Sequence, residues 1–145
     1  DAYICNGACI TDGATVSGNA VISENAVVSG FAEADDFAVV SGRALIIGVT
    51  RVCGNAVITD EARIDHHAVV CENAVVSGYA RVSGTAYVSG NARITDHAIV
   101  RGDAKVSGDT TVDGSTCIGE EPDWSKEKNR LKKALSEQSE TGMER

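Results

Sequence analysis

The sequence predicts an all-β protein, a parallel β-helix, and three observations predict it. A β-branched aliphatic stands at every sixth position from Ile4 to Ile118, twenty in all without an insertion or deletion, and only Ala34 departs from Val or Ile. Two residues before each aliphatic stands a small residue, Ala throughout except at Thr50, Thr110 and Thr116. Between these pairs lie turn formers, as in Ser17-Gly18-Asn19 and Ser89-Gly90-Asn91. A period of six excludes an amphipathic helix, whose period is about 3.6. One such unit cannot bury its own apolar side, but stacked units can.

Each hexad reads as a short strand and a corner. Side chains alternate along a strand, so the small residue and the aliphatic two positions later share the inward face. The residues flanking the aliphatic point outward and are mixed, with Val21, Arg63, Arg81, Tyr87 and Lys105 before it and mostly Ser or Thr after it. Gly, Asn and Asp then supply the positive φ that a sharp corner needs. The inward column holds eleven Val, eight Ile and one Ala, a narrow continuous core with a thin spot at Ala34.

The pattern of Val76-Ser77-Gly78-Tyr79-Ala80-Arg81, repeated over residues 2–119, resembles the hexapeptide-repeat family, the bacterial transferase hexapeptide-like proteins. The resemblance implies a single-stranded left-handed parallel β-helix, a three-sided prism of about 6–7 coils. Three hexads then make an 18-residue coil. On that coil Glu33 stacks under Arg51, and Val21, Val39, Val57 and Val75 form one outward column. At ~4.8 Å per coil the prism is roughly 32 Å long.

The domain reading is residues 1–119 for the β-helix and 120–145 for a linker, a C-terminal α-helix and a frayed tail. Pro122, the single proline, follows the last hexad, and Asp123 is placed to cap a helix before Trp124. Trp124, Leu131, Ala134 and Leu135 fall on one side of that helix. Asp1 is already in repeat phase, which reads as the continuation of an upstream segment.

The 145 residues carry a net charge of −8, which argues against nucleic acid and anionic membranes as partners. No apolar run reaches membrane-spanning length and no signal peptide is visible. Five cysteines, with Cys53 and Cys71 stacked in adjacent coils, read as free thiols in a reducing cytoplasm.

Inward residues hold the fold, so function is written on the outer walls. Val21, Val39, Val57 and Val75 lie on one wall, Val27, Leu45 and Ile47 on the next, and Phe31 and Val49 on the following corner. Outward apolar residues on two walls predict a subunit interface or a seat for the terminal helix, whose Trp124, Leu131 and Leu135 belong to the same reading. The resemblance implies a homotrimer packed side against side.

For chemistry, the family implies acyltransferases that use an acetyl-CoA-type donor and a histidine base in a site between subunits. The candidates are His66, His67 and His97, all at corners. A metal site of three histidines, as in the related γ-class carbonic anhydrases, is disfavoured. His66 and His67 stand 31 and 30 residues before His97, neither a whole number of 18-residue coils. Ice binding is disfavoured because Arg63, Arg81, Arg93, Lys105 and Glu33 interrupt the outward columns. The leading expectation is a rigid self-associating scaffold or protein-binding module with no cofactor and no metal. The alternative is an acyltransferase-like enzyme binding acetyl-CoA.

Overall fold

Each hexad folds into a two-residue strand followed by a corner. The structure, a computed structural model, describes residues 1–120. Twenty strands run from Tyr3–Ile4 to Cys117–Ile118 at a constant spacing of six residues. Each strand pairs in parallel with the strand 18 residues away, for example Val57 with Val39 and with Val75. The pairing sorts the strands into three sheets of seven, seven and six. These are the three walls of the prism, and the left-handed three-sided form is the one the resemblance implies. The helix expected after Asp123, with Trp124, Leu131 and Leu135, lies outside the described residues. Among the described residues no helix is long and apolar enough to cross a membrane.

The first wall stacks Tyr3–Ile4, Val21–Ile22, Val39–Val40, Val57–Ile58, Val75–Val76, Arg93–Ile94 and Thr111–Val112. The second stacks Cys9–Ile10, Val27–Val28, Leu45–Ile46, Arg63–Ile64, Arg81–Val82, Ile99–Val100 and Cys117–Ile118. The third runs from Thr15–Val16 through Glu33–Ala34, Arg51–Val52, Val69–Val70 and Tyr87–Val88 to Lys105–Val106. Backbone amides on the outward residues donate to carbonyls one coil on, as Val39 N does to Ala56 O at 2.9 Å and Val57 N to Ala74 O at 2.9 Å. The ladder therefore satisfies the main chain while the side chains alternate in and out.

The core is a single bore of Ala, Val and Ile, closed to solvent from Ala20 to Val100 and partly open beyond it at Ala104. Ile22, Ile46, Ile58, Ile64 and Ile94 are its largest fully buried side chains. Ala34 is fully buried between the Val16 and Val52 rungs.

The corners follow a rule that spans coils. A residue with a side chain at positive φ often stands one coil before a glycine at positive φ: Asp36 before Gly54, Asp60 before Gly78, Glu72 before Gly90 and Asp96 before Gly114. In each pair a carboxylate oxygen accepts a hydrogen bond from the glycine N–H, at 3.1, 3.0, 2.5 and 3.0 Å respectively. Glycine also stands one coil ahead of such residues, where a Cβ on Gly42 would lie 2.7 Å from Asp60 N. On the edge that carries Gly54, Glu72 and Gly90, the next residues Asn55, Asn73 and Asn91, with Asp109, form a side-chain ladder with contacts of 3.2, 3.2 and 3.0 Å.

Candidate functional site

The fold places the three histidines on two edges, as their spacing predicts. His66 and His67 lie on the corner between the second and third walls, and His97 on the corner between the first and second. His97 stacks on Tyr79, with ring centroids 5.0 Å apart and planes 8° from parallel. His67 is exposed. His66 differs from both. It is the sole imidazole among the non-glycine residues at positive φ in the described residues; the others are Asn, Asp or Glu.

At Asp12, Asp36, Asp60, Glu72 and Asp96 a carboxylate reaches forward to a glycine amide. His66 instead turns to Asp65, and its Nδ1 lies 2.8 Å from Asp65 Oδ1. Asp65 has only 2% of its side chain exposed. Its other oxygen accepts from Arg63 Nε and from Arg81 Nη2, each at 2.9 Å. Arg63 and Arg81 are ladder neighbours on the second wall, so their like charges are held side by side. The buried carboxylate between them offsets that repulsion, and the two guanidiniums in turn compensate the burial of the carboxylate.

Two recesses mark the outer surface. One, of about 340 Å³, is lined by His66, Arg81, Ser83, Ile99 and Arg101 around two corner glycines. The other, of about 500 Å³, is a groove along the corner between the first and second walls, where Glu24, Arg43, Asp60, Glu61 and Tyr79 meet. Arg43 and Glu61 pair there at 3.8 Å with both side chains largely exposed, an interaction of little net worth. The uninterrupted prism therefore has shallow recesses beside its corners.

The outward aliphatics occupy the walls assigned to them. Val21, Val39, Val57 and Val75 form one in-register column on the first wall. Val27 and Leu45 are paired on the second, with Ile47 beside them. All seven are half-buried, whereas Phe31 and Val49 on the next corner are exposed. The third wall is mostly polar, presenting Thr15, Glu33, Arg51 and Lys105.

Asp35, Asp36 and Cys53 bring three potential metal-donor atoms within 4.8 Å of one another. Asp35 already accepts from Arg51 Nη2 at 3.0 Å, and Asp36 from Gly54 N at 3.1 Å. Burial, reinforced by the neighbouring Cys71, pushes the Cys53 thiol up to about 11, so it holds its proton at neutral pH. Protonated sulfur is a poor metal ligand. All five cysteines are free, and Cys71 donates to Tyr87 Oη at 3.1 Å.

Sequence reasoning did not find Asp65, Arg63, Arg81, Ser83 and Arg101 as a group. The signal was present as a spacing of 16, the diagonal between adjacent coils. Arg81 reaches Asp65, Arg51 reaches Asp35 and Cys71 reaches Tyr87 across that offset.

The class these features define is a three-walled parallel β-helix carrying a histidine–carboxylate pair on one corner. The sequence matches no family profile and no curated protein. Among solved structures the chain is similar to the acetyltransferase domain of PglB from Neisseria gonorrhoeae FA1090, at 15% sequence identity and a TM-score of 0.44. The similarity covers 83% of this chain and 52% of that one, so the chain spans about half the length of its neighbour.

Proposed function

We propose that this β-helix is a self-associating binding module, a homotrimer in which the first wall of one copy packs on the second wall of the next. One observation carries the reading. The outward aliphatic columns occupy two adjacent walls, Val21 to Val75 on one and Val27, Leu45 and Ile47 on the other, while the third wall is mostly polar and breaks that pattern only at Val69 and Tyr87. Two different patches on one protomer suit a head-to-tail contact, which closes as a ring when the rotation allows. An apolar strip of this length on a monomer is a marker of association. The resemblance to hexapeptide-repeat proteins supports three as the number of copies.

Light scattering tests it. The wild-type chain is expected at the mass of three 15.0 kDa protomers, and the double change Val39→Asp with Val57→Asp at the mass of one. A wild-type monomer, or a double variant of unchanged mass, rejects the interface.

The Asp65–His66 pair supports a second reading, acyl transfer from an acetyl-CoA-type donor with His66 as base. With Nδ1–H donating to Asp65, the neutral ring keeps Nε2 as a proton acceptor. The second wall beside it is one that a neighbouring subunit would cover in the proposed trimer. Calorimetric titration with acetyl-CoA separates the readings. Saturable binding that His66→Ala abolishes and His97→Ala leaves intact supports the enzyme. No heat from an intact trimer leaves the module alone.

A further inference from the structure

The second wall changes character partway along the prism. Its second and third rungs present Val27, Leu45 and Ile47, and the next rungs present Arg63, Asp65, Arg81 and Ser83. The 340 Å³ recess opens in this later half. Its size lies within the range of small-molecule sites.

The charge there runs against that of the chain. Two guanidiniums, Arg63 and Arg81, share the single carboxylate of Asp65, so one positive charge remains even when His66 is neutral. The chain as a whole carries −8. The nearby acid Asp103 accepts from the Thr85 hydroxyl and keeps its charge, and Arg101, which lines the recess, supplies a positive charge to set against it.

Geometry adds direction to the charge. Arg81 commits Nη2 to Asp65, which fixes the guanidinium plane. Nη2 has a second N–H, so one paired edge of the guanidinium, Nη2 with Nε or Nη2 with Nη1, stays open as a flat fork that suits two oxygens of one acid group. Ser83 lies one coil beyond Asp65 in the same outward column and lines the recess, and only 9% of its surface is exposed. A hydroxyl at that depth is placed to donate to the same ligand. Ile99, the next rung after Arg81, supplies an apolar side.

We propose that this recess binds a small oxyanion, a carboxylate or phosphate group, gripped by Arg81, completed by Ser83 and resting its carbon skeleton against Ile99. Anchoring by Asp65 orders the arginine before the ligand arrives, which lowers the ordering cost of binding. The recess shares His66 with the acyl-transfer reading and lies on a wall that the proposed trimer would cover, and free anions as probes test it separately from both.

Titration calorimetry on the full chain, at constant ionic strength, tests it with two probes, sodium phosphate and sodium succinate. At least one is expected to bind saturably at one site per chain, and which one it is names the ligand class. Arg81→Lys keeps the ion pair to Asp65 and loses the fork; it is expected to weaken binding about tenfold or more. Ser83→Ala is expected to weaken it severalfold. Arg51→Lys, on the third wall, is the control and is expected to bind as wild type. Circular dichroism and light scattering check that each variant keeps its fold and mass. Absence of saturable heat with both anions overturns the proposal. So does wild-type affinity in both site variants, or an equal loss in the Arg51 control. Should Arg81→Lys fail to fold, Ser83→Ala decides alone, and unchanged affinity there rejects the site.

Discussion

Burial lifts the Cys53 thiol from an ordinary value of 9.0 to about 11, with the neighbouring Cys71 the next cause. The folded chain thus retains a proton that the unfolded chain releases sooner. Stability from this source is intact below about pH 9 and falls as pH rises toward about 11. Urea midpoints measured across that window are expected to drop with pH, and Cys53→Ser is expected to make the drop shallower. An equal slope in the variant rejects the assignment. Cysteine stacking was legible in the sequence, because 53 and 71 differ by one 18-residue coil. The Asp65 cluster was not. An aspartate at an outward position reads as solvated, and its burial arises only when Arg63 and Arg81 fold over it from its own rung and the next. Glu33 and Arg51 show both sides of the same lesson. The stacked pair was readable and stands at 4.0 Å, but Arg51 makes its shorter contact, 3.0 Å, with the diagonal neighbour Asp35. Long side chains lean, and a column read vertically misses the lean.

At the scale of the corner, glycine serves two different purposes. Gly42 and Gly108 share nearly the same backbone, with φ of 70° and 67°. A Cβ on Gly42 would meet Asp60 N at 2.7 Å and Asp60 O at 2.8 Å, both main-chain atoms. Among the described residues, a Cβ on Gly108 would meet nothing within 4 Å. Gly108→Ala therefore carries the conformational penalty alone, on the order of 1 kcal/mol. Gly42→Ala adds a clash that only a shift between coils relieves, for a total of roughly 3 kcal/mol. Denaturant unfolding is expected to rank them in that order, and equal losses reject the clash. Composition alone marked both as turn residues. What separates them is the Asp60 backbone one coil on from Gly42, and finding it requires the 18-residue frame to be known.

Across the whole molecule the bore has a middle and an end. Ile58 is fully buried at mid-length, whereas Ile4 is 51% exposed on the first rung. Ile58→Ala leaves a cavity bounded by rungs that hydrogen bonds hold at fixed spacing, with an expected cost of about 2–5 kcal/mol. Ile4→Ala loses surface that is already half wet, and the expected cost is under about 1.5 kcal/mol. Chemical denaturation of both in the same chain checks the gradient; comparable losses mean that the rungs do not share one core. The architecture was the most legible level of all, since twenty copies of one spacing admit few solutions. The handedness and the number of walls came from resemblance, because a period of six is silent on both.

The uninterrupted frame also dictates which changes of length this chain tolerates. Removing 18 residues deletes one storey and leaves everything downstream facing the same way. Removing six turns the remainder of the prism by a third of a revolution. After loss of residues 55–60, for example, the strand of Arg63 would move from the second wall to the first, and the valine strip would continue as a different face. Length variation here is quantised, with three hexads as the smallest silent step.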